Sequence, residues 1–167
     1  GVVGHRDGRA VPCILGRGGG RRDKREGDGA TPGGTWPLRR VFYRPARLVR
    51  PATGLPVTAL DPADGWCDDP AHPAYNRPVR LPFSGSHERL WRDERVYDVI
   101  VVLGHNDDPP VPGLGSAVFL HLTRPDHRPT EGCVALDPPD LLAVLRACGR
   151  DSVLVVEAYQ STGTASL

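Results

Sequence analysis

The sequence predicts a mostly β domain, a β-sandwich or β-barrel-like fold with one or two short helices. Its 167 residues include 20 glycines and 18 prolines, and both residue types interrupt helices and serve turns. The apolar segments are short and rich in β-branched residues, as in VYDVIVVLGH from residue 96 to 105, which is typical of buried strands. Convincing helical features occur only late in the chain. Many strands followed by a late helix favour packed sheets.

Six segments are predicted as strands. They are expected at residues 11–15, 37–43, 55–60, 96–105, 115–122 and 152–159. The glycine-rich GRGGG after the first strand lacks the lysine and the serine or threonine that end a phosphate-binding loop, so we interpret it as a flexible connection. Residues 61–82 contain too many prolines for regular structure, and we predict an ordered loop held by Trp66 and Tyr75.

Two segments have helical character. HERLWRDE, from His87, carries an apolar pair among charges and predicts a short helix. DPPDLLAVLRACG gives the stronger signal. Asp137 suits the N-cap, the two prolines after it suit the first turn, and Gly149 suits the end of the helix.

Length and composition predict one domain, residues 1–167, with a real core. The net charge of +1 gives no general attraction to nucleic acid, and the basic run RRVFYRPARLVRP has no nucleic-acid motif beside it. No apolar run is long enough to cross a bilayer, and the first residues lack the apolar core of a secretory signal peptide. We therefore expect no nucleic-acid partner and no transmembrane segment.

The four cysteines follow no metal or disulfide pattern. Cys13, Cys67, Cys133 and Cys148 show no C-x-x-C spacing, which argues against a zinc ribbon. We expect Cys13 and Cys148 to be small buried fillers. If Cys133 must remain a free thiol, the other three allow at most one disulfide.

One stretch, GSAVFLHLTRPDHRPTEGCVAL, contains a possible nucleophile and its base. A strand-like run ends in His121, and Cys133 follows twelve residues later between Gly132 and an apolar segment. A thiol attacks carbonyl carbon well only as a thiolate, so it needs a base nearby. Gly132 would let a substrate approach the backbone, whose N–H groups could stabilise an oxyanion. The alternative is a buried histidine and a small buried thiol.

The same residues resemble a known signature. AVFLHL…PTEGCVAL is similar to that of YkuD-type L,D-transpeptidase catalytic domains: a strand-ending histidine, a loop, then serine or threonine, histidine, glycine, cysteine, an apolar residue and arginine or asparagine. KREGDGATPGGTWPLRRVFYRP, DGWCDDP…YNRPVRLP and GHNDDPPVPGLGSAVFLH resemble segments of a compact bacterial branch. The resemblance covers nearly the whole chain.

The resemblance implies a YkuD-like β-sandwich without metal or organic cofactor. Cys133 would take an acyl group from a donor stem peptide of peptidoglycan, and an amine of an acceptor stem would resolve it as a cross-link. His121 would be the base, oriented by the carbonyl of Leu122, and the N–H groups of Gly132 and Cys133 would be the oxyanion donors. A monomer in the periplasm or cell envelope fits this substrate.

The chain departs from the family pattern at three points. Glu131 stands where histidine is usual, Ala135 where arginine or asparagine is usual, and the loop between His121 and Cys133 is short. Our hypothesis is that Glu131 helps to place the cationic amine of the acceptor. The departures leave open whether the linkage is 1→3 or 3→3.

Eight residues are candidates for substrate binding. Tyr43 and Arg44 could meet stem-peptide carboxylates, because arginine grips a carboxylate through two bonds, although a solvated strand face is the default. His105 and Asn106 could lie at the cleft or simply form a turn. The remaining candidates are Lys24, Arg25, Thr130 and Glu131.

Three other functions compete with transpeptidation. A cysteine L,D-carboxypeptidase or amidase would share the acyl-enzyme but resolve it with water. A non-catalytic wall-binding module would use Cys133 only structurally. A metal hydrolase built on His105, Asp107, His121 and His127 lacks a compact ligand motif.

Overall fold

The computed structural model describes residues 1–4 and 8–158. The fold is mostly β with one α-helix among these residues, as the sequence predicts. The first seven strands are β1 Val2–Gly4, β2 Ala10–Pro12, β3 Gly20–Arg21, β4 Thr31–Pro32, β5 Gly34–Tyr43, β6 Val57–Ala59 and β7 Asp64–Cys67. The other elements are β8 Pro78–Arg80, β9 His87–Arg89, a 3₁₀ turn Arg95–Tyr97, β10 Val99–Leu103, β11 Phe119–Leu122, β12 Val134–Leu136, α1 Pro138–Ala147 and β13 Val153–Val156.

A six-stranded sheet forms the centre of the fold. Its main order is β12-β11-β10-β5-β13, and β6 pairs with β5. β10 lies antiparallel to both β5 and β11, whereas β11 and β12 are parallel. A three-stranded sheet, β8-β7-β9, and two small strand pairs complete the described strands.

The central sheet has two buried faces, because alternate residues of each strand point in opposite directions. Leu120 and Leu122 of β11 belong to one apolar core together with Leu141 of α1, and we call this side the helix face. Phe119 belongs to the second core, where its ring meets Trp66 of β7 edge-on at 5.2 Å. We call this side the cavity face. The small sheet therefore packs over the central one as in a sandwich.

The proline-rich stretch from residue 61 to 82 is more regular than predicted. Trp66 and Tyr75 are buried and hold it, as expected, but the prediction of a loop is wrong because β7 and β8 lie within it. Pro78 is the first residue of β8, a position where a missing N–H is tolerated. A proline can therefore stand at the start of a strand, as Pro78 does here.

The short helix expected from His87 is absent from the described chain. His87–Arg89 is instead strand β9, paired with Gly65–Cys67 of β7. Pairing with a neighbouring strand satisfies backbone groups that a one-turn helix would leave open. Tertiary pairing therefore decides the structure of this segment.

Several predicted strands are shorter than expected. The strand over residues 96–105 begins with the 3₁₀ turn and is regular only at Val99–Leu103. β11 begins at Phe119, two residues after Ala117, whose φ of 51° interrupts the extended backbone. β2 ends at Pro12 and β13 at Val156, and Tyr159, predicted at the end of the last strand, lies outside the described residues.

The helix α1 is confirmed, but its expected cap is wrong. Asp137 occupies the N-cap position without making a capping bond. Its carboxylate instead accepts the hydroxyl of Thr123 at 2.5 Å and contacts His127 at 3.0 Å. These bonds fasten the loop after β11 to the start of the helix.

All four cysteines are free thiols. Cys13 is buried, as expected of a filler, and Cys148 is partly buried. Among the described helices, none has the length and apolar character that crossing a membrane requires.

Candidate active site

The predicted nucleophile and base are positioned by the parallel pair β11–β12. In this pair His121 lies opposite Ala135 and Leu120 opposite Val134. Paired residues share a face, and so do residues two apart in an extended segment. Cys133, two residues before Ala135, packs against the cavity-face core. His121 and Cys133 line the same cavity of about 520 Å³, so the structure brings them together.

The imidazole of His121 has a fixed orientation and tautomer. Its Nδ1 donates to the carbonyl oxygen of Leu122 at 2.8 Å, since a carbonyl can only accept. The pKa of His121 is lowered to about 4, mainly by burial and in smaller part by the charges of Arg92 and Arg124, while the Leu122 bond acts the other way. At neutral pH the ring is therefore uncharged, with Nε2 free to take a proton.

The thiol of Cys133 is held by backbone groups. It accepts the N–H of Phe119 at 3.4 Å and donates to the carbonyl of Ala117 at 3.3 Å. The pKa of Cys133 is raised to about 12, mainly by desolvation and in smaller part by the charge of Glu88, while the Phe119 bond and the charge of Lys24 act the other way. The resting pair is therefore a neutral thiol beside a neutral imidazole.

The turn before the thiol requires glycine. Gly132 has φ +133°, and a Cβ at this position would lie 2.8 Å from the carbonyl oxygen of Ala30. The hydroxyl of Thr130 donates to the carbonyl of Cys133 at 2.6 Å and accepts the N–H of Gly132 at 3.2 Å. Thr130 thus fixes the turn, and it engages one of the two predicted oxyanion donors.

The cavity wall carries charges of both signs. Its acidic side chains are Glu26, Asp68, Glu88 and Glu131, and its basic ones are Lys24, Arg92, Arg124 and Arg128. A cavity lined in this way suits a peptide that bears carboxylates and an ammonium group. The sequence analysis identified only Lys24 and Glu131 among these charges.

Three wall residues that sequence reasoning missed form one contact group, Glu88–Arg92–Tyr97. Glu88 accepts the Tyr97 hydroxyl at 2.5 Å and Arg92 Nη2 at 3.3 Å. The Arg92 guanidinium lies 4.2 Å from the centre of the Tyr97 ring. Burial raises the pKa of Glu88, while Tyr97 and Arg92 lower it. Charged residues in HERLWRDE gave no local signal, since a solvated surface carries the same residues.

Three predicted substrate-binding residues line the cavity. Lys24 is buried, and its ammonium donates to Asp28 at 2.5 Å and to the carbonyl of Arg25 at 2.9 Å. Glu131 is exposed and pairs with Arg17 at 2.9 Å. Thr130 is the third.

The other five candidates are not brought to the cavity. Arg44 stacks 3.4 Å from the centre of the Trp91 ring and donates to the carbonyl of Arg92 at 2.7 Å, so it supports the segment that carries Arg92. The side chain of Asn106 donates to Val111 and Gly115, which matches the turn interpretation. The remaining three, Tyr43, Arg25 and His105, are absent from the lining.

Two further observations bear on the alternatives. No group of three or more His, Cys, Asp or Glu in residues 1–4 and 8–158 is arranged to hold a metal ion. A larger cavity of about 1040 Å³ lies on the helix face and includes Cys13 and Cys148. Within residues 1–4 and 8–158, the lining of this cavity contains no histidine.

Comparison with known proteins agrees with the geometry. The family model of the YkuD L,D-transpeptidase catalytic domain matches residues 3–156. No curated protein and no solved structure matches the chain.

Proposed function

Because this chain belongs to the YkuD family of L,D-transpeptidase catalytic domains, we propose that it cross-links peptidoglycan stem peptides through a cysteine acyl-enzyme. One observation carries the proposal. Cys133 and His121 lie on the same face of the β11–β12 pair and open into one cavity. Because Nδ1 of His121 donates its proton to a hydrogen bond with the Leu122 carbonyl, Nε2 carries the lone pair that can act as the base.

Acylation begins from the neutral pair. Sγ of Cys133 attacks the carbonyl carbon at an L-centre of the donor stem, while Nε2 of His121 takes the thiol proton. The N–H of Cys133 stabilises the oxyanion, since the N–H of Gly132 is engaged by Thr130. Collapse of this intermediate breaks the carbon–nitrogen bond, the leaving amine receives the proton from His121, and a thioester remains.

Deacylation reverses the roles. An amine of the acceptor stem attacks the thioester carbon, and His121 takes the proton that the amine loses. The carbon–sulfur bond breaks, and the thiolate of Cys133 recovers its proton from His121. One amide bond has been exchanged for another, and no oxidant, reductant or cofactor is consumed.

The charges on the wall fit a peptide with two kinds of ionic group. Arg124 and Arg128 on the loop after β11 can bind stem-peptide carboxylates. We retain Glu131 as the group that places the acceptor amine, and its contact with Arg17 must then open or be shared when the acceptor binds. Lys24, paired with Asp28, lies on the same wall beside Gly132.

The test is mass spectrometry of purified muropeptides after incubation with the protein and with Cys133→Ala. Dimers formed only by the unmutated chain would support transpeptidation, and fragmentation would locate the linkage as 1→3 or 3→3. Shortened monomers without dimers would favour the carboxypeptidase or amidase. No product with either protein, across donors of different stem length, would contradict catalysis and favour a wall-binding module.

The substrate also decides where such an enzyme works. Since peptidoglycan lies outside the cytoplasmic membrane, we propose that the protein acts in the periplasm or cell envelope. We further propose that it acts as a monomer and that residues 1–167 form one catalytic domain.

A further inference from the structure

Tyr97 forms the wall of the cavity between the base and a carboxylate. It closes the 3₁₀ turn before β10, and its side chain is buried. Its ring meets His121 edge-on with the centres 5.3 Å apart, and its hydroxyl donates to Glu88 at 2.5 Å. No motif of the resemblance includes this residue.

The Tyr97 ring is held on three sides. Glu88 of β9 binds its hydroxyl, the Arg92 guanidinium covers its face, and Phe119 of β11 contacts it edge-on at 5.9 Å. Arg92 is itself anchored, because its side chain donates to Glu88 and its carbonyl accepts Arg44. Contacts from three segments therefore fix the position of the ring.

His121 depends on such a fixed surface. The bond from Nδ1 to Leu122 sets its tautomer, but one hydrogen bond allows the imidazole to swing about that axis. A catalytic group must be held within about 0.5 Å and 10–20° of its productive geometry. The ring of Tyr97 supplies a contact on the imidazole that can restrict this motion.

We propose that Tyr97 is a positioning residue for His121 and that Glu88, through the Tyr97 hydroxyl, keeps it in place. The inference rests on the proposed function, in which His121 is the base. Displacing a catalytic group by about 1 Å can lower a rate by about 10²-fold. Loss of the Tyr97 ring is therefore expected to slow proton removal from Cys133, and alkylation by a small reagent measures this step apart from peptide binding.

The test measures how fast iodoacetamide alkylates Cys133 at pH 7. The sulfur–carbon bond forms as iodide leaves, and His121 takes the thiol proton. Mass spectrometry of the Cys133 peptide is needed, because Cys13, Cys67 and Cys148 are also free. His121→Ala gives the rate without a base. The alkylation rate of Tyr97→Leu is expected to be about 10- to 100-fold below that of the unmutated chain, close to the rate without a base. The rate of Tyr97→Phe, which keeps the ring, is expected to be about threefold lower.

A matched control and a second measurement separate positioning from general damage. Phe83→Leu removes another ring packed edge-on against a histidine, His72, at 4.7 Å, and is expected to alkylate at the unmutated rate. The second measurement is a ¹³C-histidine NMR titration between pH 4.5 and 8. His121, buried beside Arg92 and Arg124 with Glu88 behind Tyr97, is expected to stay neutral in the unmutated chain. In Tyr97→Leu it should titrate toward the ordinary pKa.

Each outcome decides a different question. A folded Tyr97→Leu with unmutated alkylation rate and titration would overturn the inference. Loss of the near-ultraviolet circular dichroism in Tyr97→Leu would mean that this variant has lost its tertiary packing. The test then depends on Tyr97→Phe, and an unchanged alkylation rate in that variant overturns the role of the Glu88 bond. If His121→Ala is alkylated at the rate of the unmutated chain, His121 is not the base of the proposed function. This result differs from a failure of the Tyr97 inference alone, in which His121→Ala is slow and Tyr97→Leu is not.

Discussion

The Nδ1 of His121 donates to the carbonyl oxygen of Leu122, its own neighbour on β11, at 2.8 Å. The two side chains point to opposite faces of the sheet, His121 into the cavity and Leu122 into the core beneath α1. A base that is bound to its neighbour in this way needs no buried carboxylate to set its tautomer. The core on the helix face therefore holds the residue that orients the imidazole of His121.

The pH profile of acylation is expected to follow the lowered pKa of His121. Only the neutral imidazole can accept the thiol proton, and burial lowers the pKa of His121 to about 4. The rate of acyl-enzyme formation should therefore fall with decreasing pH near 4, and stay level from about pH 5.5 to 8. Intact-mass kinetics with a stem-peptide donor measures this rate. A decline centred near pH 6.5 would contradict a buried, neutral base.

The stability of the fold is expected to depend on His105. This buried side chain packs edge-on against Trp36 at 4.7 Å, and burial lowers its pKa to about 4 from the ordinary 6.5. In the unfolded chain His105 binds a proton below about pH 6.5, whereas in the folded chain it binds one only near pH 4. The stabilisation is thus complete above pH 6.5 and is lost as the pH falls toward 4.

Urea unfolding at pH 7 and pH 5 measures this linkage. One histidine with this shift should account for a decrease of about 2 kcal/mol in unfolding free energy between the two pH values. His105→Gln should reduce the observed decrease by that amount, even if its packing lowers stability at both pH values. An equal decrease in the variant and the unmutated chain would show that His105 does not carry the effect.

Replacing Gly132 with alanine is expected to reduce stability and acylation together. The new Cβ would lie 2.8 Å from the carbonyl of Ala30, and the φ of +133° disfavours any side chain. We expect a loss of about 1–3 kcal/mol in unfolding free energy and slower acyl-enzyme formation, because the turn places the Cys133 N–H. Thermal unfolding and intact-mass kinetics give the two values.

Gly113→Ala is the matched control for this change. Gly113 also has a positive φ, +83°, but a Cβ there meets nothing within 4 Å. The loss of unfolding free energy in Gly113→Ala should therefore come from backbone strain alone, and the rate of acylation should be unchanged. If both variants lose the same stability and neither loses activity, close contact at Gly132 has no role in the site.

Glu131→Gln is expected to weaken acceptor use without affecting the donor. If the carboxylate places the acceptor amine, its removal should raise the acceptor KM about twofold to fivefold, as for an exposed ion pair of at most about 1 kcal/mol. Arg17→Gln frees the same carboxylate from its 2.9 Å contact and should lower the acceptor KM. Cross-linking rates at varied acceptor concentration test both. Unchanged KM values would remove Glu131 from acceptor binding.

The proposed nucleophile and base could be selected from the sequence because Cys133 and His121 lie in one continuous segment with a recognisable signature. The apolar, β-branched sequence of β10 predicts burial directly, and every residue of this strand is buried. The Glu88–Arg92–Tyr97 group could not be found in the same way. Glu88 and Arg92 have ordinary surface character in the sequence, Tyr97 falls within a predicted strand, and their contacts depend on how β9 pairs with β7.

The proline-rich segment illustrates the same limit. Pro78 breaks a local strand signal, yet β8 forms because β7 offers it a paired edge. Arg44 and His105 follow predicted strands, as a cleft residue would, but strand ends alone do not specify which side of the sheet a side chain meets. Tertiary pairing determines both outcomes, and a single sequence does not display it.

The register of β11 and β12 places the thiol on the cavity face. Because side chains alternate, a slip of one residue between these strands would send Cys133 toward α1, while His121 stayed in the cavity. A chain that is compact but misaligned at this one pair would then be chemically silent. The reactivity of a single sulfur atom would thus serve as a readout of correct folding, because the thiol meets the cavity only when β12 pairs with β11 in its native register.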